Sequence, residues 1–314
     1  MSTLLLNFCI RTFFFDFSKV RAFPYSSLLY LFLIHIIISL SYEENIITLT
    51  VIGSGGKVKI IDEDCETLPD EITVNGEIQT LDENNQITVG STVTTVKFSW
   101  SDDIIDFYAM FYEIDSIISV DFSEFSCTGI DDMRAMFAYC TNLKSINFAN
   151  FDSSSVTSMY GLFAVDINLL EVDLSKLDVS SVKDMTYMFY ESGIRNIDLK
   201  NFRTSSLMLM ISMFEECHNL KSIDLSMFDT TNVIDMYSLF YNDDNLEVVN
   251  LSNLNNPVLA DISLMFAYCT NLTDINLTGF HTPNVENMTK VFSHCESLTS
   301  IDISSLINVI ILVL

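Results

Sequence analysis

Asp173, Asp198 and Asp224 follow one another at intervals of 25 and 26 residues, and the same place in the pattern is held by Asp121, Asn147, Asn250, Asn276 and Asp302. Side chains of this type have two uses. One is to bind cations; the other is to accept a local backbone N–H in a turn. Carboxylates in adjacent strands about 4.8 Å apart would repel by roughly 0.8 kcal/mol per pair in water, and by ~3–4 kcal/mol at an effective dielectric of 20. On a solvated face the ladder Asp121, Asn147, Asp173, Asp198 and Asp224 reads first as local backbone bonding; a cation would relieve the repulsion among Asp173, Asp198 and Asp224, so Ca²⁺ or a Lys/Arg-rich partner is the second reading. A single file does not supply the roughly six to eight oxygens of a dedicated calcium cage. No resident metal or other cofactor is therefore expected.

The ladder depends on a repeat. With the Phe of each Met-Phe-like pair as origin, copies begin at Phe111, Phe137, Phe163, Phe189, Phe214, Phe240, Phe266 and Phe292, and one copy is a residue short near Gly193. Leu220, Ile223, Leu225 and Phe228 give L-x-x-I-x-L-x-x-F, the spacing of a leucine-rich repeat with a short strand at Ser222 to Leu225. Val233, Met236, Leu239 and Phe240 follow at steps of three and four, which predicts a short helical or 3₁₀ return. The expected fold is an α/β repeat solenoid: parallel strands line the concave face and helical turns the return face. One circuit buries too little to offset the entropy of ordering it, so the array is stable only when stacked and covered at its ends.

Other chemistry is poorly represented. His35, His218, His281 and His294 are scattered, and each Ser or Asp that might join a catalytic triad belongs to a row of equivalents, so no enzyme is expected. Cys140, Cys217, Cys269 and Cys295 share an inward repeat position and read as small buried hydrophobes. Of these only Cys269 and Cys295 occupy adjacent copies, as a disulfide would require. Zinc spacing is missing. Forty-two acidic against fifteen basic residues give a formal charge of −27, which repels nucleic acid and anionic lipid.

Residues 1–41 contain the apolar run Leu28 to Leu40 after Arg11, Lys19 and Arg21, ending in Ser39-Leu40-Ser41. This predicts an export signal cleaved after Ser41; the second reading is an uncleaved membrane anchor through 23–40. Between 42 and 106 the period changes to two, with turn signals between short apolar runs, so a small antiparallel β domain is expected to cap the array, with a type I′ hairpin at Asn75-Gly76. Gly53-Ser54-Gly55-Gly56 reads as a hairpin turn rather than a phosphate loop. The eight repeats occupy 107–306, and 307–314 form an apolar tail.

The phrases Asn219-Leu220-Lys221-Ser222-Ile223-Asp224-Leu225, Cys140-Thr141-Asn142-Leu143-Lys144-Ser145-Ile146 and Asp184-Met185-Thr186-Tyr187-Met188-Phe189 resemble the BspA-like leucine-rich repeat family, also described as a Mycoplasma-lipoprotein-type surface repeat. The resemblance covers about 107–306. It implies a secreted or surface-displayed, non-catalytic solenoid used for adhesion or protein binding, with an extracellular protein or cell-surface ligand as partner. A carbohydrate-binding or structural cell-wall protein is the alternative. Two further features bear on partners. Asn250, Asn271, Asn276 and Asn287 are N-glycosylation sequons, and glycans on Asn250 and Asn276 would leave the Asp173 to Asp224 half of the concave face free. On the return face Met208, Leu209, Ile211 and Ile234 replace polar residues, as an apolar contact patch or additional core.

Overall fold

The computed structural model describes residues 45–304 and 306; the expected signal or anchor over 1–41 and the tail over 307–314 lie outside them. Period-two alternation turns every second side chain inward. β1 (Asn45–Val51) accordingly buries Ile47, Leu49 and Val51, and β6 (Thr94–Trp100) buries Val96, Phe98 and Trp100. Between them lie β2 (Lys57–Lys59), β3 (Glu71–Val74), β4 (Glu77–Gln79) and β5 (Gln86–Thr88). β3 and β4 pair antiparallel around Asn75-Gly76, whose φ values of 52° and 86° are the two left-handed positions a type I′ turn needs.

The glycine-rich stretch after β1 is not the hairpin turn expected from its composition. β1 pairs with β6, whereas β2 pairs with β5, so the stretch crosses from one sheet to another. Gly53 is required there because a Cβ would lie 1.9 Å from the Thr92 carbonyl oxygen.

The β segment does not stop at residue 106 as a separate unit. β7 (Ile117–Asp121), the first repeat strand, pairs antiparallel with β1 and parallel with β8 (Ser145–Asn147), giving one sheet in the order β4-β3-β6-β1-β7-β8. The edge that the first repeat would otherwise expose is thereby paired. Phe98 of β6 also heads the ring stack of the array: it stacks on Phe111 at 6.4 Å, Phe111 stacks on Phe137 at 5.6 Å, and the row continues copy by copy to Phe292.

On the return face the helical or 3₁₀ turns expected from the spacing are replaced. Among the described residues there is no helix. In the first copy the N–H groups of Phe107, Ala109, Phe111 and Glu113 donate to the carbonyls of Asp132, Arg134, Met136 and Ala138 in the next copy. Those of Met110, Tyr112 and Ile114 donate three residues back, to Phe107, Ala109 and Phe111. A helix would turn all of these donors inward and leave none to join the copies. Left-handed residues two before and two after each repeat Phe make the alternation possible, such as Ala109 at 52° and Glu113 at 56°, and Ser238 at 54° and Asn242 at 59°. Val233, Met236, Leu239 and Phe240 are all buried, so the spacing marked the inward side chains correctly while tight turns, not a helix, deliver them.

Single-residue parallel bridges join Asp106, Asp132, Ser158, Asp184, Leu209, Asp235, Asp261 and Asn287 in sequence, and the one short step falls between Asp184 and Leu209. On the concave face β9 (Ser222–Asp224), β10 (Val248–Asn250) and β11 (Asp274–Asn276) form a parallel sheet. The expected row of strands is interrupted between β8 and β9. Residues 172–174 and 197–199 form no strand, and ahead of them Gly193 N–H reaches Asp166 O at 3.1 Å and Arg195 N–H reaches Leu170 O at 2.9 Å. The interrupted stretch contains the copy that is one residue short. Gly193 in that copy lies so close to the preceding one that a Cβ would sit 2.2 Å from Ile167 O.

Candidate functional site

Where the concave sheet opens there is a groove of ≈ 850 Å³, lined among others by Glu171, Asp173, Asn196, Asp198, Lys200 and Asp224. The structure thus brings the three central ladder carboxylates to one depression. Asn147 and Asp121 stand on β8 and β7, beside the groove and outside its lining. All three central carboxylates are exposed.

One oxygen of each has a local task. Asp121, Asp173, Asp198 and Asp224 accept the N–H of Ser123, Ser175, Lys200 and Ser226 at 2.9–3.1 Å, and Asn147, Asn250 and Asn276 do the same for the residue two further on. A second corner repeats this with Asp152, Asp178 and Asp229, and a third with Asp132, Asp184, Asp235 and Asp261. Much of the chain's acidity therefore comes from short acceptors that fix corners of each circuit.

The other oxygen is free to meet a ligand to different degrees. At Asp198 it pairs with Lys200 at 3.5 Å in full solvent, whereas the amides of Asn147 and Asn250 donate at 2.9 and 3.0 Å to the same Oδ1 of Asp121 and Asp224 that serves the turn. Asp173 receives no bond from a neighbouring copy among the described residues. Hydrogen bonds from the Ser175 hydroxyl and N–H hold its carboxyl below the ordinary aspartate range. Burial pushes Asp224 up, but bonds from Ser226 and Asn250 outweigh it, and its net shift is also downward. Both are charged at neutral pH. Among the described residues no three His, Cys, Asp or Glu side chains are grouped closely enough to hold a metal ion.

Of the other sequence candidates, Met208 and Ile234 adjoin through an Ile234 N–H to Met208 O bond of 2.9 Å, and each is about two-fifths exposed. Leu209 and Ile211 beside them are half-buried, with Leu209 filling a bridge position that is Asp in most copies. The patch belongs to the return face. Three sequon amides are engaged: Asn250 with Asp224, Asn271 with Asp244 O at 2.7 Å, and Asn287 with Asp261 at 2.8 Å. Only the Asn276 amide nitrogen lacks a partner among the described residues. Cys269 and Cys295 are free thiols, and their S–H groups reach Phe240 O and Phe266 O at 2.9 and 3.0 Å; burial raises the Cys295 thiol to about 11. Glu171 and Asn196 were not singled out in the sequence. The short copy was the available signal, since a break in a regular repeat is where unlike residues converge.

Stacked copies, a paired first edge and one acidic groove define a repeat solenoid with an open concave face. Residues 105–226 and 210–309 match the family model described as Mycoplasma protein of unknown function, DUF285, and the chain belongs to that family. A leucine-rich repeat protein from Bacteroides ovatus, known from a crystal structure, is similar at 17% identity over 76% of this chain and 82% of that one, with a TM-score of 0.28. No curated protein matches the sequence.

Proposed function

We propose that this chain is a non-catalytic binding solenoid of leucine-rich-repeat type, exported to the cell surface or beyond it. Its concave groove takes an extended, cation-bearing segment of another extracellular protein. The observation that carries this reading is the opening of the sheet at the copies that hold Asp173 and Asp198. There, exposed carboxylates stand one per copy beside main-chain groups that have lost their ladder partners, and a polypeptide with spaced Lys or Arg complements both. A file of this kind suits side-chain cations carried at intervals better than one compact metal site.

The test is the triple variant D173N/D198N/D224N, which keeps the corner acceptors and removes the charge. With fluorescent oligolysine as probe, the wild-type chain should bind in a salt-sensitive manner, and the variant should bind at least ~10-fold more weakly with a flattened salt dependence. Equal binding by both proteins would remove the groove from consideration. Capture of neutral glycans on an array, unaffected by the triple change and without any protein ligand, would replace this reading with the carbohydrate-binding one. N-terminal sequencing of the exported chain tests the location: a start near Tyr42 supports cleavage, whereas a membrane-bound form retaining Leu28 to Leu40 supports the anchor.

A further inference from the structure

The copy that is one residue short opens a second, smaller recess. Arg195, Asn196, His218, Asn219, Lys221 and Asn245 line a notch of ≈ 410 Å³, a cationic and amide-rich spot on a chain of charge −27. In regular copies the Asn before the strand donates across to the preceding copy: Asn168 to Thr141 O at 2.6 Å, Asn245 to His218 O at 2.8 Å, Asn271 to Asp244 O at 2.7 Å. Asn219 faces the shortened copy and has no such acceptor, so its amide is without a partner among the described residues. Lys221 N–H is likewise unpaired, because the ladder between Arg195 and Lys221 has lapsed, although Glu247 N–H still reaches Lys221 O at 2.8 Å.

Arg195 and Lys221 also hold the same repeat position in adjacent copies, so two cations line the one notch. Lys221 is drawn toward Glu247 at 3.4 Å and His218 toward Asp244 at 3.0 Å, whereas Arg195 makes no ion pair among the described residues. We infer that this notch is a binding site for a single carboxylate group, held by the Arg195 guanidinium and the amides of Asn196 and Asn219. A planar fork of N–H donors matches a carboxylate in two parallel bonds, which a lone ammonium does not. Polyanions are disfavoured, because Asp244 and Glu247 pair with the lining residues His218 and Lys221 and would repel further charges on the ligand. Asn196 lines both the notch and the groove. The carboxylate therefore belongs to the same mixed-charge polypeptide that enters the groove. That last step rests on the binding role proposed above; the affinity of the notch for acetate does not.

The experiment is an NMR titration of the isotope-labelled full chain with sodium acetate, against sodium chloride at equal ionic strength. Saturable shifts are expected at Arg195 Nε–H and at the side-chain amides of Asn196 and Asn219, weakened at least tenfold in R195Q and only partly restored in R195K. Unchanged amide positions elsewhere establish that R195Q is folded. Equal responses to acetate and chloride, or shifts that survive R195Q, would overturn the site. Tighter binding of sulfate than of acetate would overturn the assignment to a carboxylate. Loss of oligolysine binding in the triple aspartate variant, with these acetate shifts intact, separates the notch from the groove.

Discussion

The backbone N–H of Cys217 donates to Oδ1 of Asp243 at 2.7 Å inside the array, while Oδ2 of the same carboxyl is buried without a partner among the described residues. Asp166 repeats the arrangement with Cys140 N–H at 2.9 Å. Burial raises both carboxyls well above the ordinary aspartate range, outweighing the single N–H bond each receives, and Asp244, Glu215 and Glu216 raise Asp243 further. Since the folded values are raised, the stabilising contribution is complete below the unfolded aspartate value and is lost as pH climbs toward the folded one. Stability of the wild-type chain should therefore decline from about pH 4 upward. D166N/D243N should flatten this decline and recover about 1–3 kcal/mol near pH 8, the scale of a buried polar group left unsatisfied. Urea midpoints measured between pH 5 and 9 would show it; a parallel decline in wild type and variant would assign the pH dependence to other groups.

The left-handed positions give a prediction opposite in sign to the usual rule for glycine. Ala135, at φ 53°, occupies a conformation that costs an L-residue roughly 1–2 kcal/mol, against about 0.5–1 kcal/mol for the added freedom of glycine in the unfolded chain. Ala135→Gly should stabilise by about 0.5–1 kcal/mol, and Gly161→Ala at the equivalent position, φ 60°, should destabilise by a similar amount. A urea midpoint that moves down for Ala135→Gly would contradict the turn geometry.

The corner role of the aspartates separates two substitutions at one site. Asp224→Asn retains the acceptor for Ser226 N–H, so its stability should stay within ~0.5 kcal/mol of wild type, whereas Asp224→Ala should lose about 0.5–1.5 kcal/mol. Thermal unfolding of the pair checks this. Equal loss in both would mean that charge rather than the turn bond matters for folding.

Because β1 joins β6 to β7, the β segment and the first repeats should unfold together. Phe98→Ala removes the ring at the head of the stack and should cost about 3–5 kcal/mol. Trp100, the sole tryptophan, packs edge-on to Phe98 at 5.9 Å and reports on the β segment by fluorescence. Its transition in urea should coincide with that of far-UV circular dichroism, which reports on the array. Separated midpoints would show that the shared sheet does not couple the two regions.

The sequence by itself determined the period, the inward side chains and the short copy, because burial selects residue type at every turn of a repeat. Phe137, Leu143, Ile146 and Phe148 are buried where their spacing places them. It also marked the Asn75-Gly76 hairpin, since few residues besides Asn and Gly accept its two positive φ values. The sequence pointed to a helical return because inward spacing of three and four residues is common to helices and to successive tight turns. Only the hydrogen bonds from Phe107, Ala109 and Phe111 to the next copy distinguish them. The site was split in the same way. Asp173, Asp198 and Asp224 were legible as a file, but the groove depends on lost bonds between strands that are distant in sequence. Gly193 showed a deletion; only the stacked copies show that the concave sheet opens beside it, with the aspartates lining one recess and Arg195 the other.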